Sequence, residues 1–198
     1  MTASSTKESL AKRVLSSGFG MVLATVVLMW GIEIVDTALL GSRLEREGIR
    51  PRYLDGLDGI LWSPFLHLNF AHLISNTAPF LVLGGLVAIG GLKKWLRITA
   101  LIMLIGGGLT WLLASSATHI GASGVVFGYF GYLIGAAVFE RRFAPLVPAA
   151  VAIFLYSGII FGVIPQEGIS WEGHLFGTIG GIAAAKILRT KTPPVLKN

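Results

Sequence analysis

Cysteine is absent from the 198-residue chain and charge is scarce: 13% of residues are Asp, Glu, Lys or Arg, whereas 54% are apolar. The first absence excludes disulfides, thiolate metal sites and a cysteine nucleophile, without defining a compartment. The second excludes an ordinary water-exposed fold, because soluble domains carry about a quarter charged residues. Long apolar stretches lie between short charged clusters, and a bilayer core of roughly 30 Å requires about 20 apolar residues per helix. The chain therefore reads as an all-α, polytopic membrane protein.

The formal net charge is +6. In a soluble protein that excess would suggest nucleic acid. Here Lys and Arg flank apolar stretches, so orientation in a membrane is the simpler reading and no nucleic-acid partner is expected. The first apolar stretch follows Lys12 and Arg13 in the manner of a signal peptide. It runs too long for one, and no small-x-small cleavage site leads into a soluble domain, so it reads as a retained first helix.

Apolar runs predict six spans, at roughly 18–40, 65–91, 95–114, 120–139, 145–164 and 171–189. They form one membrane domain, 18–189, between polar tails 1–17 and 190–198. The one long connection, 41–64, is rich in Gly, Arg, Asp and Pro; the other links are short enough to make neighbouring helices antiparallel. With the N-terminus in the cytoplasm, 12 of the 16 Lys and Arg residues fall inside, and Arg43, Arg46, Arg50 and Arg52 fall outside in the long loop. The expectation is an integral protein of a bacterial cell (inner) membrane with both termini cytoplasmic.

This topology gathers chemistry at one depth. The second, fourth and sixth spans all begin at the outer face, with His67, His72 and Asn76 opening the second, His119 and Ser123 the fourth, and His174 the sixth. Ser123 lies in Gly121-Ala122-Ser123-Gly124. A serine hydroxyl is a weak nucleophile that needs a base beside it, and a helix start offers N–H groups to a developing oxyanion. Alone, the motif fits a small residue for helix contact as well. His174 shares a helical face with Gly177 and Gly181, while Gly124, Gly128, Gly131 and Gly135 form a second small-residue stripe on the fourth span. Two such stripes let these helices approach and bring imidazole to hydroxyl; the bland alternative is a hydrogen-bonded structural histidine.

His72 and Asn76, four apart, suit an oxyanion pocket or an interhelical hydrogen bond. His67 at the membrane edge suits a structural, loop-anchoring part. His119, four residues before Ser123, is a rival base, ranked below His174 because a loop position leaves its geometry less fixed. Glu33 and Asp36 could act as a triad acid, but the start of the long loop offers them simpler partners. Four histidines with Glu172 raise the question of zinc, and no established ligand spacing such as HExxH is present.

GASG at 121–124, HxxxxHxxxN at 67–76 and HxxGxxxG at 174–181 together resemble the motifs of rhomboid intramembrane serine proteases, over roughly 18–189. The resemblance implies a six-helix bundle with a water-filled cavity open to the outside. It further implies a Ser–His dyad without a third acid, cleaving single-span transmembrane substrates near their outer ends, in contact with membrane lipid and without a cofactor. By motif position Ser123 is the nucleophile and His174 the base. The Ser123 N–H, His72 and Asn76 form the oxyanion hole, Gly121 shapes it, and Phe127 packs on the histidine. The first loop departs from the family pattern, carrying Trp62 followed by Ser63 rather than by arginine, which leaves its conformation in question. The alternatives are a non-catalytic rhomboid-like chaperone or binding protein and, less well supported, a small transporter, for which neither repeat symmetry nor broken midplane helices are evident. Substrate identity and oligomeric state are not legible.

Overall fold

A computed structural model of the protein describes residues 17–140, 142–166 and 168–189. The tails predicted at 1–17 and 190–198 lie outside these, apart from Ser17. The hydroxyl of Ser17 caps α1 (Gly18–Val35) by accepting the Gly20 N–H at 2.9 Å. α1 continues as a π-helical segment, Asp36–Leu40, and stops at Gly41 in the left-handed region. Asp36 then accepts the backbone N–H groups of Arg43 and Leu44, and Glu33 accepts a long bond from Thr37. Both acids are spent on opening the long loop.

α2 (Phe70–Ala88) starts five residues later than its apolar run suggests. Ser63–Phe65 form a 3-10 turn, and Asn69, in extended conformation, caps α2 by accepting the His72 N–H. Asn is among the preferred N-cap residues for this reason. His67 therefore precedes the helix and His72 sits in its first turn. α3 (Leu92–Ile102) passes through a π-helical segment, Met103–Gly107, before resuming at Gly108–Leu113. α4 is Ser123–Glu140 and α5 is Phe143–Tyr156. The fifth span is not regular helix to 164 as its composition predicts: Ser157–Val163 tightens into 3-10 helix, within a stretch bearing Gly158 and Gly162. α6 is Trp171–Leu188. Among the described residues the architecture is all-helical, with no strand.

Among the described residues, five helical stretches are long and apolar enough to cross a membrane: Gly18–Leu40, Phe70–Ala88, Leu92–Leu113, Ser123–Glu140 and Phe143–Val163. α6, the sixth predicted span, has 18 residues but spends part of its length on Glu172, His174, Lys186 and four glycines. Its glycine face packs on α4, while Ile179, Ile182 and Ile187 on its other side are exposed. α4 lies at the centre, 67% of its residues buried, whereas the span Phe143–Val163, which contains α5, is only 11% buried and lies at the margin. Val22, Met29, Leu73, Phe80, Leu83, Ile98, Ile102 and Tyr129 fill the core around α4.

Helices gain little from hydrophobic burial inside a bilayer, so close association rests on small residues and hydrogen bonds. The α4–α6 contact follows that rule. A Cβ on Gly177 would overlap the carbonyl oxygen of Gly124, and one on Gly181 the carbonyl oxygen of Gly128. From the other side, a Cβ on Gly131 would come 2.5 Å from the Thr178 carbonyl oxygen. The two stripes read from the sequence are therefore the two faces of one contact.

The long first loop is braced rather than loose. Ile49 pairs with His119 in an isolated antiparallel bridge, with N–H···O distances of 3.0 and 2.9 Å. The Arg52 guanidinium donates to the Ala114 carbonyl at 2.6 Å, and the Trp111 indole N–H to the Tyr53 carbonyl at 2.9 Å. These bonds fix a loop conformation without the Trp-Arg pair, and leave Trp62 about half exposed.

Candidate active site

The local chain path sets the serine. Gly121 has φ +106°, a left-handed conformation in which a Cβ is strained, and a Cβ there would fall 2.7 Å from two atoms of the His72 ring. Its N–H donates to the Ser63 carbonyl at 2.9 Å. Ala122 follows, fully buried, its N–H aimed at His67 Nε2 at 3.5 Å. Ser123 then opens α4, so its own backbone N–H has no acceptor within the helix.

His174, in the first turn of α6, meets this serine: Nε2 and the Ser123 Oγ are 2.9 Å apart. Its Nδ1 lies 2.8 Å from the Gly162 carbonyl oxygen, and its ring stacks on Phe127 with centroids 4.1 Å apart and planes inclined by 7°. A carbonyl oxygen only accepts, so Nδ1 carries the proton and Nε2 presents a lone pair. The Ser123 O–H is thereby the donor toward Nε2. Sequence reasoning misses Gly162. Its one signal is a glycine inside an apolar run, which does not reveal that its backbone would bond a histidine.

His72 and Asn76 share a face of α2 and line the same cavity as Ser123 and His174, about 810 Å³ in volume. Asn76 donates one amide hydrogen to the His72 carbonyl at 2.8 Å. The Leu68 N–H points weakly at His72 Nδ1, at 3.4 Å, which leaves the proton on Nε2. The arrangement therefore offers hydrogen-bond donors, a hydroxyl and an imidazole lone pair around one volume.

His67 is 2% exposed and its ring lies edge-on to His72, centroids 5.2 Å apart. Burial, and then the neighbouring His72 ring, push its pKa down to about 4, so the ring is neutral at ordinary pH. It supports the turn before Ser123. His119 is also buried, and its Nδ1 is hydrogen-bonded to the Ser170 hydroxyl rather than to Ser123. Burial lowers its pKa, opposed by the nearby Glu172 carboxylate. The expectation that its loop position leaves it loosely held is overturned, because the bridge to Ile49 holds both of its backbone groups. Glu172 accepts the Ser115 N–H at 2.9 Å and the Ser115 hydroxyl at 2.6 Å, joining the loop after α3 to the start of α6. Glu33 and Asp36, engaged at the loop opening, do not join the site.

The helical bundle and its apolar surface define an integral membrane protein, with a serine–histidine pair held beside a wide cavity. The Rhomboid domain model matches residues 56–191, and the chain belongs to the rhomboid family, a family of intramembrane proteases in general. Similar proteins include an uncharacterized protein of Mycobacterium tuberculosis, 41% identical over 177 residues, covering 84% of this chain and 73% of the relative. The rhomboid protease GluP of Bacillus subtilis is 31% identical over 128 residues, covering 62% of this chain and 24% of its own length. Rhomboid-like protein 11, chloroplastic, of Arabidopsis thaliana is 30% identical over 145 residues, or 63% of this chain and 50% of its own. No solved structure matched the chain significantly.

Proposed function

We propose that the protein is an intramembrane serine endopeptidase acting through a Ser123–His174 dyad. The observation that carries this reading is the 2.9 Å contact between Ser123 Oγ and His174 Nε2, with Nδ1 engaged by a carbonyl. As Ser123 Oγ attacks a peptide carbonyl carbon, its proton passes to His174 Nε2. The C–N bond then breaks and His174 returns that proton to the leaving amine. Water attacks the resulting ester, giving a proton to His174, which restores it to Ser123 Oγ as the acid product leaves. The oxyanion lies between the Ser123 N–H, the His72 Nε2–H and the free amide hydrogen of Asn76. Gly121 keeps a side chain out of that space. Backbone acceptance at Nδ1 takes the place of a third acid.

The substrates are single-span transmembrane proteins, presented from lipid. Their helix must unwind locally, because a helical carbonyl is already hydrogen-bonded, so Gly or Pro near the scissile bond favours cleavage. The distribution of Lys and Arg, 12 against 4, supports cytoplasmic termini and cleavage near the outer face. The match to bacterial relatives supports a bacterial inner membrane as the location.

Reconstitution with a panel of single-span substrates tests the reading, comparing wild type with Ser123→Ala. Cleavage by wild type alone is expected, as is labelling by a fluorophosphonate that disappears in Ser123→Ala and His174→Ala. Cleavage persisting in Ser123→Ala, or a wild type that neither cleaves nor labels, overturns it.

A further inference from the structure

We infer that the backbone carbonyl of Gly162 is the positioning group that aims the base. The inference rests on the Ser123–His174 reading above. Two contacts orient the imidazole, and they differ in kind. Phe127 fixes the plane of the ring by stacking but does not choose which nitrogen faces the serine. The Gly162 oxygen, 2.8 Å from Nδ1, makes that choice, because it takes the one proton a neutral imidazole has.

The contact is shaped for a residue without a side chain. A Cβ on Gly162 would come 2.5 Å from Phe127 Cζ and 3.3 Å from His174 Nδ1. Phe127, His174 and the Gly162 backbone thus form one three-way contact, filled to capacity.

The element carrying the oxygen is the least anchored of the bundle. α5 buries only Ala149 and Ala152, and no residue of Ser157–Val163 is buried. Ile160 and Phe161 are 59% and 64% exposed, so the outer side of the segment meets lipid. Loss of this acceptor would leave Ser123 and His174 in place on their own helices. The imidazole is then free to exchange tautomers, and in the Nε2–H form it has no lone pair for the serine proton.

An amide-to-ester exchange tests the carbonyl without adding an atom. Replacing Val163 by its α-hydroxy acid turns the Gly162 carbonyl into a weaker ester acceptor. The same exchange at Phe161 weakens the Ile160 carbonyl and also deletes an N–H from the same segment, so it controls for general loosening. The Val163 ester should lower kcat roughly 10-fold, the order expected for a hydrogen bond to a group that becomes charged, with KM and thermal stability matching the Phe161 ester. Equal kcat in the two esters overturns the assignment.

Imidazole 15N spectra read the bond independently of turnover. The His174 resonances, identified by their loss in His174→Ala, should show Nδ1–H in the wild type and a tautomer mixture in the Val163 ester. An Nε2–H wild type, or spectra unchanged by the ester, also sinks the inference. Failure of the protease reading leaves the spectra interpretable, so the two can fail separately.

Discussion

Gly177 stands against the carbonyl oxygen of Gly124 with no room between them for a Cβ. This pair sits one turn below the Ser123–His174 contact, and it sets how near the two helices, and hence the two side chains, can come. Gly177→Ala should therefore destabilise the bundle by roughly 1–3 kcal/mol, the usual cost of overfilling a packed contact, and should abolish cleavage. Gly31, on the open face of α1, is the contrast, because a Cβ there would meet nothing within 4 Å. Gly31→Ala should be neutral or stabilising by about 0.5–1 kcal/mol. Thermal unfolding in detergent measures both.

Phe127 offers the plane on which the imidazole rests. Phe127→Ala should reduce kcat by roughly 10-fold, since a stacked ring contributes about 0.5–1.5 kcal/mol beyond its buried area, while KM changes little. A large rise in KM with kcat preserved would instead place Phe127 in substrate binding.

His72 and Asn76 predict a loss confined to the transition state. His72→Ala and Asn76→Ala should each lower kcat by about 10²–10³ with little change in KM. Fluorophosphonate labelling should also slow, since that reagent forms a tetrahedral centre at the same place. Unchanged rates in both variants would remove them from the oxyanion site.

The buried, neutral His67 predicts a pH dependence of stability. Its pKa is about 4 in the folded protein and near the ordinary 6.5 when unfolded. Between those values the unfolded chain binds the extra proton, so stability rises with pH across the interval. The contribution is fully present above about pH 6.5 and is lost as pH falls toward about 4, on the order of 3 kcal/mol in all. His119, also lowered by burial, adds in the same direction. Unfolding midpoints taken from pH 7.5 to 4.5 should fall steeply for wild type and less steeply for His67→Gln. Parallel curves would contradict this account.

The apolar helices, the paired glycine stripes and the meeting of serine and histidine at two helix starts are legible in the sequence, because hydropathy and helical periodicity report directly on which faces pack together. What escapes are events decided by single hydrogen bonds. The apolar run reaches back to Phe65, but the side chain of Asn69 decides where α2 begins. Tyr156 to Ile164 looks like uninterrupted helix by composition, yet the backbone tightens there, and the Gly162 oxygen becomes a partner of His174. Backbone groups leave no residue-type signal, so no motif could announce that contact. His119 reads as loosely held for a similar reason: its partner, Ile49, lies 70 positions away in the long first loop, with α2 and α3 between them.

The two halves of the dyad belong to α4 and α6, 51 positions apart in the chain. A ribosome that has delivered α4 and α5 to the bilayer has exposed the hydroxyl but not yet the imidazole. On the proposed function, the growing polypeptide is harmless to its neighbours until then, and proteolytic power arrives all at once when α6 slots in beside α4.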